Sequence, residues 1–276
     1  MRQQIFLPGL SILLFSLASC NQKINSKTKD PIKEEYRPVF KAKELEEKLE
    51  FSFKNKSTDN LNHFFAEWQK DIGSNANEII EQNDTVKAVY NAYKEFFKPF
   101  DLLKVGNWEW GNKLNENSDY AVVQNSISYS VLSSNSFDDI NRDSIITTTI
   151  FDFRPPLNID SRKIVYLTAE YDTALNQFLG TESTKIGELN IMNPSRPEGE
   201  SEKRYEMIRP FIPILHGHWG GYWHLVTHPA VSMILFNKDL TTAKFDFRVG
   251  YQGGEAILVK SGNEWTIKKS VSTWIE

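Results

Sequence analysis

The hydrophobic period of this chain changes once, and that change restricts the fold more than any other feature. From Ala42 to Phe97 apolar residues recur at three- and four-residue spacing, the mark of amphipathic helices. One set is Ala42, Leu45, Leu49 and Phe53. A second, Leu61, Phe64, Phe65, Trp68 and Ile72, is opened by Ser57-Thr58-Asp59 and closed by Gly73. A third, Val86, Val89, Tyr90, Tyr93, Phe96 and Phe97, starts near Asn83-Asp84 and stops at Pro99. From Tyr120 the period becomes two. Helical faces followed by strand faces predict an α+β fold, with N-terminal helices packed on a curved antiparallel sheet that ends in a C-terminal β-meander.

Over Tyr120–Leu132 the odd positions Ala121, Val123, Ile127, Tyr129 and Val131 predict one strand with one buried face. Ile145–Phe153 pairs with it across a long polar hairpin loop. Ile164–Leu167 is a short strand, followed by a helix carrying Tyr171, Ala174, Leu175, Phe178 and Leu179 that Gly180 ends. Residues 181–204 are polar, with Pro194, Pro197 and Gly199, and read as an exposed insertion or an internal linker. Val231–Phe236 then opens the meander, with both of its faces covered. The next strand places Ala243, Phe245, Phe247, Val249 and Tyr251 on one face and Lys244, Asp246, Arg248 and Gln252 on the other. Gly253-Gly254 or its neighbours turn the chain into Glu255–Lys260, and Ser261-Gly262-Asn263 turns it into Glu264–Ile275.

The first residues carry a different message. Arg2, an apolar run from Ile5 to Leu17 and the small residues Ala18-Ser19 before Cys20 make a secretory signal, too short to span a bilayer. Leu17-Ala18-Ser19-Cys20 resembles the lipobox of bacterial lipoproteins. The resemblance implies cleavage after residue 19, lipidation of Cys20 and anchoring in the cell envelope. Residues 20–41, polar and with prolines at 31 and 38, read as a flexible lipidated tether, and 42–276 as the body. The chain resembles lipoproteins of the Bacteroidota. No acidic run follows Cys20, which favours the periplasmic face of the outer membrane.

Cys20 is the single cysteine, so the mature chain forms no internal disulfide and depends on its core. Without residues 1–19 its charged side chains number 31 basic and 36 acidic, a balance with no footprint for nucleic acid.

The order of helices followed by a meander with Ala243, Phe247, Gly253-Gly254-Glu255, Leu258, Gly262 and Trp265-Thr-Ile267 resembles the nuclear-transport-factor-2-like superfamily. The likeness is closest over 230–276 and reaches 58–132 only through element order. It implies a cone-like body with a pocket rather than a particular reaction.

Four of the five histidines, His216, His218, His224 and His228, fall within thirteen residues beside Trp219, Tyr222 and Trp223. His216 and His218 on an extended backbone point the same way and can chelate a transition metal, with His224 or His228 as a third ligand. Trp219, Tyr222 and Trp223 can equally form a platform for a small organic ligand. A tightly packed, glycine-rich crossing explains the same residues and is preferred. Asp246 and Arg248, two apart on one strand face, are candidates for ligand binding or for a solvated ionic face. No catalytic motif and no cofactor motif beyond the metal candidate is present. The expectation is a membrane-anchored, non-enzymatic module that binds a small ligand or a partner protein. The alternatives are a metal-binding protein or metal-dependent enzyme, and an immunity protein.

Overall fold

The computed structural model describes residues 32–74, 82–105, 118–137, 145–160, 162–180, 199–216, 229–250 and 252–275 and the backbone of 183–186, 189–192 and 222–223; side chains of α1 are described from Lys41 onward. Among these residues no helix is long and apolar enough to cross a membrane. The fold is α+β, with helices on a mostly antiparallel sheet.

The first helix, α1 (Ile32–Lys54), begins inside the segment expected to be tether. Its opening Ile-Lys-Glu-Glu run is rich in good helix formers, and Pro38 does not end it. α2 (Thr58–Asp71) is capped by Ser57, whose side chain accepts from Asn60 N at 3.2 Å. α3 (Asp84–Phe96) is capped in the same way by Asn83, which accepts from Val86 N at 2.9 Å. A single turn, α4 (Leu102–Val105), follows.

The expected single strand over 120–132 is two strands in two sheets. β1 (Tyr120–Gln124) pairs in parallel with β4 (Lys163–Leu167), whereas β2 (Ser126–Val131) joins a six-stranded sheet. Asn125 breaks them: its carbonyl accepts from Phe153 N at 2.7 Å. The Gln124 side chain then continues the pairing in place of backbone, donating to Val231 O at 2.9 Å and accepting from Val231 N at 2.8 Å. β1 also has two buried faces rather than one. Ala121 and Val123 enter one core, and Tyr120 and Val122 enter the other.

The two cores lie on either side of the β1–β4 ribbon. The sheet core packs α3 on β9 (Ala230–Phe236), β10 (Thr242–Val249), β11 (Gln252–Ser261) and β12 (Glu264–Ile275). The helix core packs α1 and α2 with α5 (Ala169–Leu179), α6 (Glu200–Ile208) and the segment from Phe211 to Ile214. Trp68 and Tyr171 stack there at 4.2 Å, as do Phe65 and Phe211 at 4.8 Å. Trp68 Nε1 donates to Tyr166 O at 3.0 Å, joining the helix core to the ribbon.

The large sheet runs β12-β11-β10-β9-β2-β3, with β3 being Thr148–Phe151. Its pairs are antiparallel except β2–β9, which is parallel. The predicted four-strand meander is β9–β12, and the predicted hairpin is β2–β3. The turn between β10 and β11 is made by a neighbour of Gly253-Gly254 rather than by that pair itself. It falls at Gly250, where φ is 61°, and both later glycines lie inside β11. Their reason is contact. A Cβ on Gly253 would sit 1.9 Å from Trp274 Cε2, and one on Gly254 2.6 Å from Val271 O.

Residues 181–204 also depart from a wholly exposed insertion. β5 (Ser183–Ile186) and β6 (Leu189–Met192) form a hairpin, and α6 buries Arg204. The Arg204 guanidinium donates to Glu50 at 2.6 and 3.0 Å, to Glu200 at 2.7 and 3.1 Å and to Phe178 O at 3.1 Å. Burial works against its charge, but hydrogen bonds with the two carboxylates outweigh burial and hold it above its usual pKa range.

Candidate functional site

The histidine cluster lies largely outside the described residues, which exclude His218, Trp219, His224 and His228. For His216, Tyr222 and Trp223 the backbone alone is described. β7 (Leu215–His216) pairs antiparallel with β8 (Tyr222–Trp223), setting His216 opposite Tyr222. Among the described residues no group of three His, Cys, Asp or Glu side chains could hold a metal ion. The one imidazole described is His63, exposed on α2 and 3.2 Å from Glu67. Cys20 also lies outside the described residues.

Asp246 and Arg248 project from β10 on the face opposite the sheet core, since their neighbours Phe245, Phe247 and Val249 are buried in it. Asp246 stands opposite Glu255 in the neighbouring strand, and Lys244 pairs with Glu255 at 2.6 Å. Arg248 Nε donates to Gly250 O at 2.6 Å, and its guanidinium lies 5.7 Å from the Trp274 ring, which folds over Gly253. These side chains form an ionic, stacked stripe across the outer face of the meander.

A cleft lies elsewhere, at the C-terminal end of α3. Tyr93 O accepts from Phe97 N at 2.8 Å as the helix closes, and Pro99 turns the chain away. Three segments enclose about 910 Å³: the end of α3 with its exit to Asp101, the loop Leu157–Asp160, and the start of β12 from Asn263 to Thr266. Asn91, Lys94, Glu95, Lys98, Asp101, Asn158, Asp160 and Glu264 supply donors and acceptors of both charges. Lys98 is 3.6 Å from Glu95. Asp160 holds a left-handed backbone, φ 49°, which aspartate tolerates better than most residues. Arg162, just beyond it, lays its guanidinium 3.9 Å over Phe100 and donates to Ser118 O, fixing the loop against the α3 exit.

Trp265 joins this cleft to the sheet core. Only 4% exposed, it meets Phe236 edge-on at 5.8 Å, and it belongs to the cleft lining. Its indole N–H has no hydrogen-bond partner among the described residues. A buried donor in that condition costs about 1–3 kcal/mol, so it marks where an acceptor is wanted. A shallower groove of about 360 Å³ runs between α1 and α2, past Phe51, Phe64 and the Lys48–Glu67 pair. The Lys48 hydrogen bond holds the Glu67 carboxyl below its usual range.

The cleft escaped sequence reading because its residues come from three distant turns. Pro99, Asn158-Ile-Asp160 and Ser261-Gly262-Asn263 each signal a turn, but nothing in their composition says they converge. Compared with protein-family models, curated proteins and solved structures, the chain matches none.

Proposed function

We propose that this protein is a lipid-anchored binding module of the cell envelope whose site is the cleft at the end of α3. The observation that carries the reading is Trp265, a buried donor without a partner in the lining of a cleft large enough for a small molecule. Amide, carboxylate and ammonium groups in the cleft lining suit a polar ligand that both donates and accepts hydrogen bonds. The ligand would enter as a binding partner, without chemical change. The cone-like architecture belongs to the same reading, supported by α3 lying across the inner face of the meander. The lipobox supports anchoring through Cys20, with residues 21–31 as the link to α1.

The test is a thermal-shift panel of saccharides, amino acids, short peptides and nucleosides on the intact chain, repeated on Trp265→Phe. That substitution keeps a ring and removes the N–H. Binding by the parent chain that weakens in the variant, with the fold retained, is the expected outcome. A panel without a binder, or a binder indifferent to Trp265→Phe, would overturn the reading. Anchoring is tested separately: Cys20→Ser should abolish labelling by a fatty-acid probe.

A further inference from the structure

The six-stranded sheet has two edges, and the sequence treats them differently. β12 is long, but its pairing with β11 slips twice, leaving Lys268 and Thr273 without direct partners, and Lys269 follows. Bulges and lysines on an edge strand hinder pairing with another chain. β3 carries no such protection. Residues 145–151 read Ile-Ile-Thr-Thr-Thr-Ile-Phe, without charge, glycine or proline. β3 ends the sheet, and nothing among the described residues pairs with its outer edge. Ile146 is 86% exposed and Phe151 79%, the highest values among the exposed large hydrophobics. Such an edge offers unpaired N–H and C=O groups beside apolar surface.

We propose that a second copy of this chain occupies that edge, its β3 running antiparallel about a two-fold axis at Thr148. Residues directly opposite in an antiparallel pair share a sheet face. With the axis at Thr148, Ile146 of each copy faces Ile150 of the other, Ile145 faces Phe151, and Thr147 faces Thr149. Every pair joins like with like, and no charges meet. Ile150 already packs against the sheet core, so the partner's Ile146 extends a buried surface. The two six-stranded sheets become one continuous sheet, with an isologous interface as two-fold symmetry requires. One strand pair is a small contact by the standard of protein interfaces, so the dimer forms weakly in solution and, on the anchoring proposed above, more strongly between copies confined to one membrane.

The test is cysteine cross-linking of the full chain, whose only native cysteine is Cys20. Opposed residues in an antiparallel pair have Cα atoms about 4.5–5.5 Å apart, within disulfide reach. Thr148→Cys, oxidised with copper–phenanthroline, should run as a species of twice the chain mass on a non-reducing gel. The parent chain, Lys269→Cys and Thr149→Cys should not, because residue 149 meets its own copy only across a diagonal of about 7–8 Å. Adding Ile146→Lys to Thr148→Cys should abolish the dimer without unfolding the protein, since that side chain is exposed. Failure of Thr148→Cys to cross-link above the parent overturns the proposal. So does a dimer that survives Ile146→Lys, equal cross-linking at 149 or 269, or a product of any other mass.

Discussion

Replacing Arg204 with methionine removes the charge that holds three helices together and keeps much of the side chain's bulk. The guanidinium is 3% exposed, Glu50 17% and Glu200 33%. Glu50 is therefore the partner whose loss counts most. Taking the guanidinium away from a carboxylate in such a place costs about 3–5 kcal/mol, while the more solvated Glu200 belongs with screened pairs worth about 0–1 kcal/mol. Stacking on Phe53 at 4.3 Å and Phe178 at 4.7 Å adds a fraction that methionine partly restores. The expected loss is about 3–5 kcal/mol, or roughly 6–20 °C in Tm for a chain of this size. Urea and thermal unfolding at neutral pH, followed by near-ultraviolet circular dichroism, measure it. Combining Arg204→Met with Glu50→Leu and Glu200→Gln should recover most of the loss, because an apolar replacement leaves no stranded charge. A loss under about 1 kcal/mol in the single variant would show the cluster to be screened like a surface pair. A combined variant no more stable than the single one would assign the loss to packing.

Tyr93 is fully buried, and its hydroxyl has no partner among the described residues, so Tyr93→Phe should stabilise the protein by about 1–2 kcal/mol in urea unfolding. Gly253→Ala should destabilise it by about 1–3 kcal/mol by driving a Cβ into the Trp274 ring, and Trp274→Ala in the same chain should relieve most of that cost. Burial raises the pKa of Tyr93, Tyr166 and Tyr171, with neighbouring Tyr166 adding to the effect at Tyr93. Unfolded tyrosines ionise near pH 10 while these three stay protonated in the fold, so stability present below that pH falls as pH rises above it. Absorbance at 295 nm should show them ionising only with unfolding; ionisation in the intact fold near pH 10 would contradict their burial.

Periodic segments were legible in the sequence because their period reports a buried face directly. The faces of α2, α3, α5 and β10 all match the residues that bury. Local pattern misleads where a long-range partner overrides it. Over 120–131 Ala121, Val123 and Ile127 do share a core, with Tyr129 packed against it, but Val131 is exposed at the strand end and the even residues Tyr120 and Val122 meet helices that lie far off in sequence. Gly253-Gly254 looks like a turn until Trp274 is placed on it. Arg204 sits in a polar stretch, and its partner Glu50 lies too far off in sequence for any local pattern to connect the two. The cleft is least legible of all, since neither a spacing nor a motif connects α3 with the turn into β12.

The alternation of the two cores along the chain bears on how the molecule can be assembled. Leu45 to Trp68 belong to the helix core, Ala88 to Val105 to the sheet core, Tyr171 to Ile214 again to the helix core, and Val231 to Trp265 again to the sheet core. β1 and β4 contribute to both. A growing polypeptide thus presents α1 and α2 long before α6 exists to cover them, and α3 long before the meander it rests on. No single cut between Leu45 and Trp265 leaves both cores complete in one fragment, nor gives two fragments holding one core each. The chain reaches its native packing only after almost all of it is available at once.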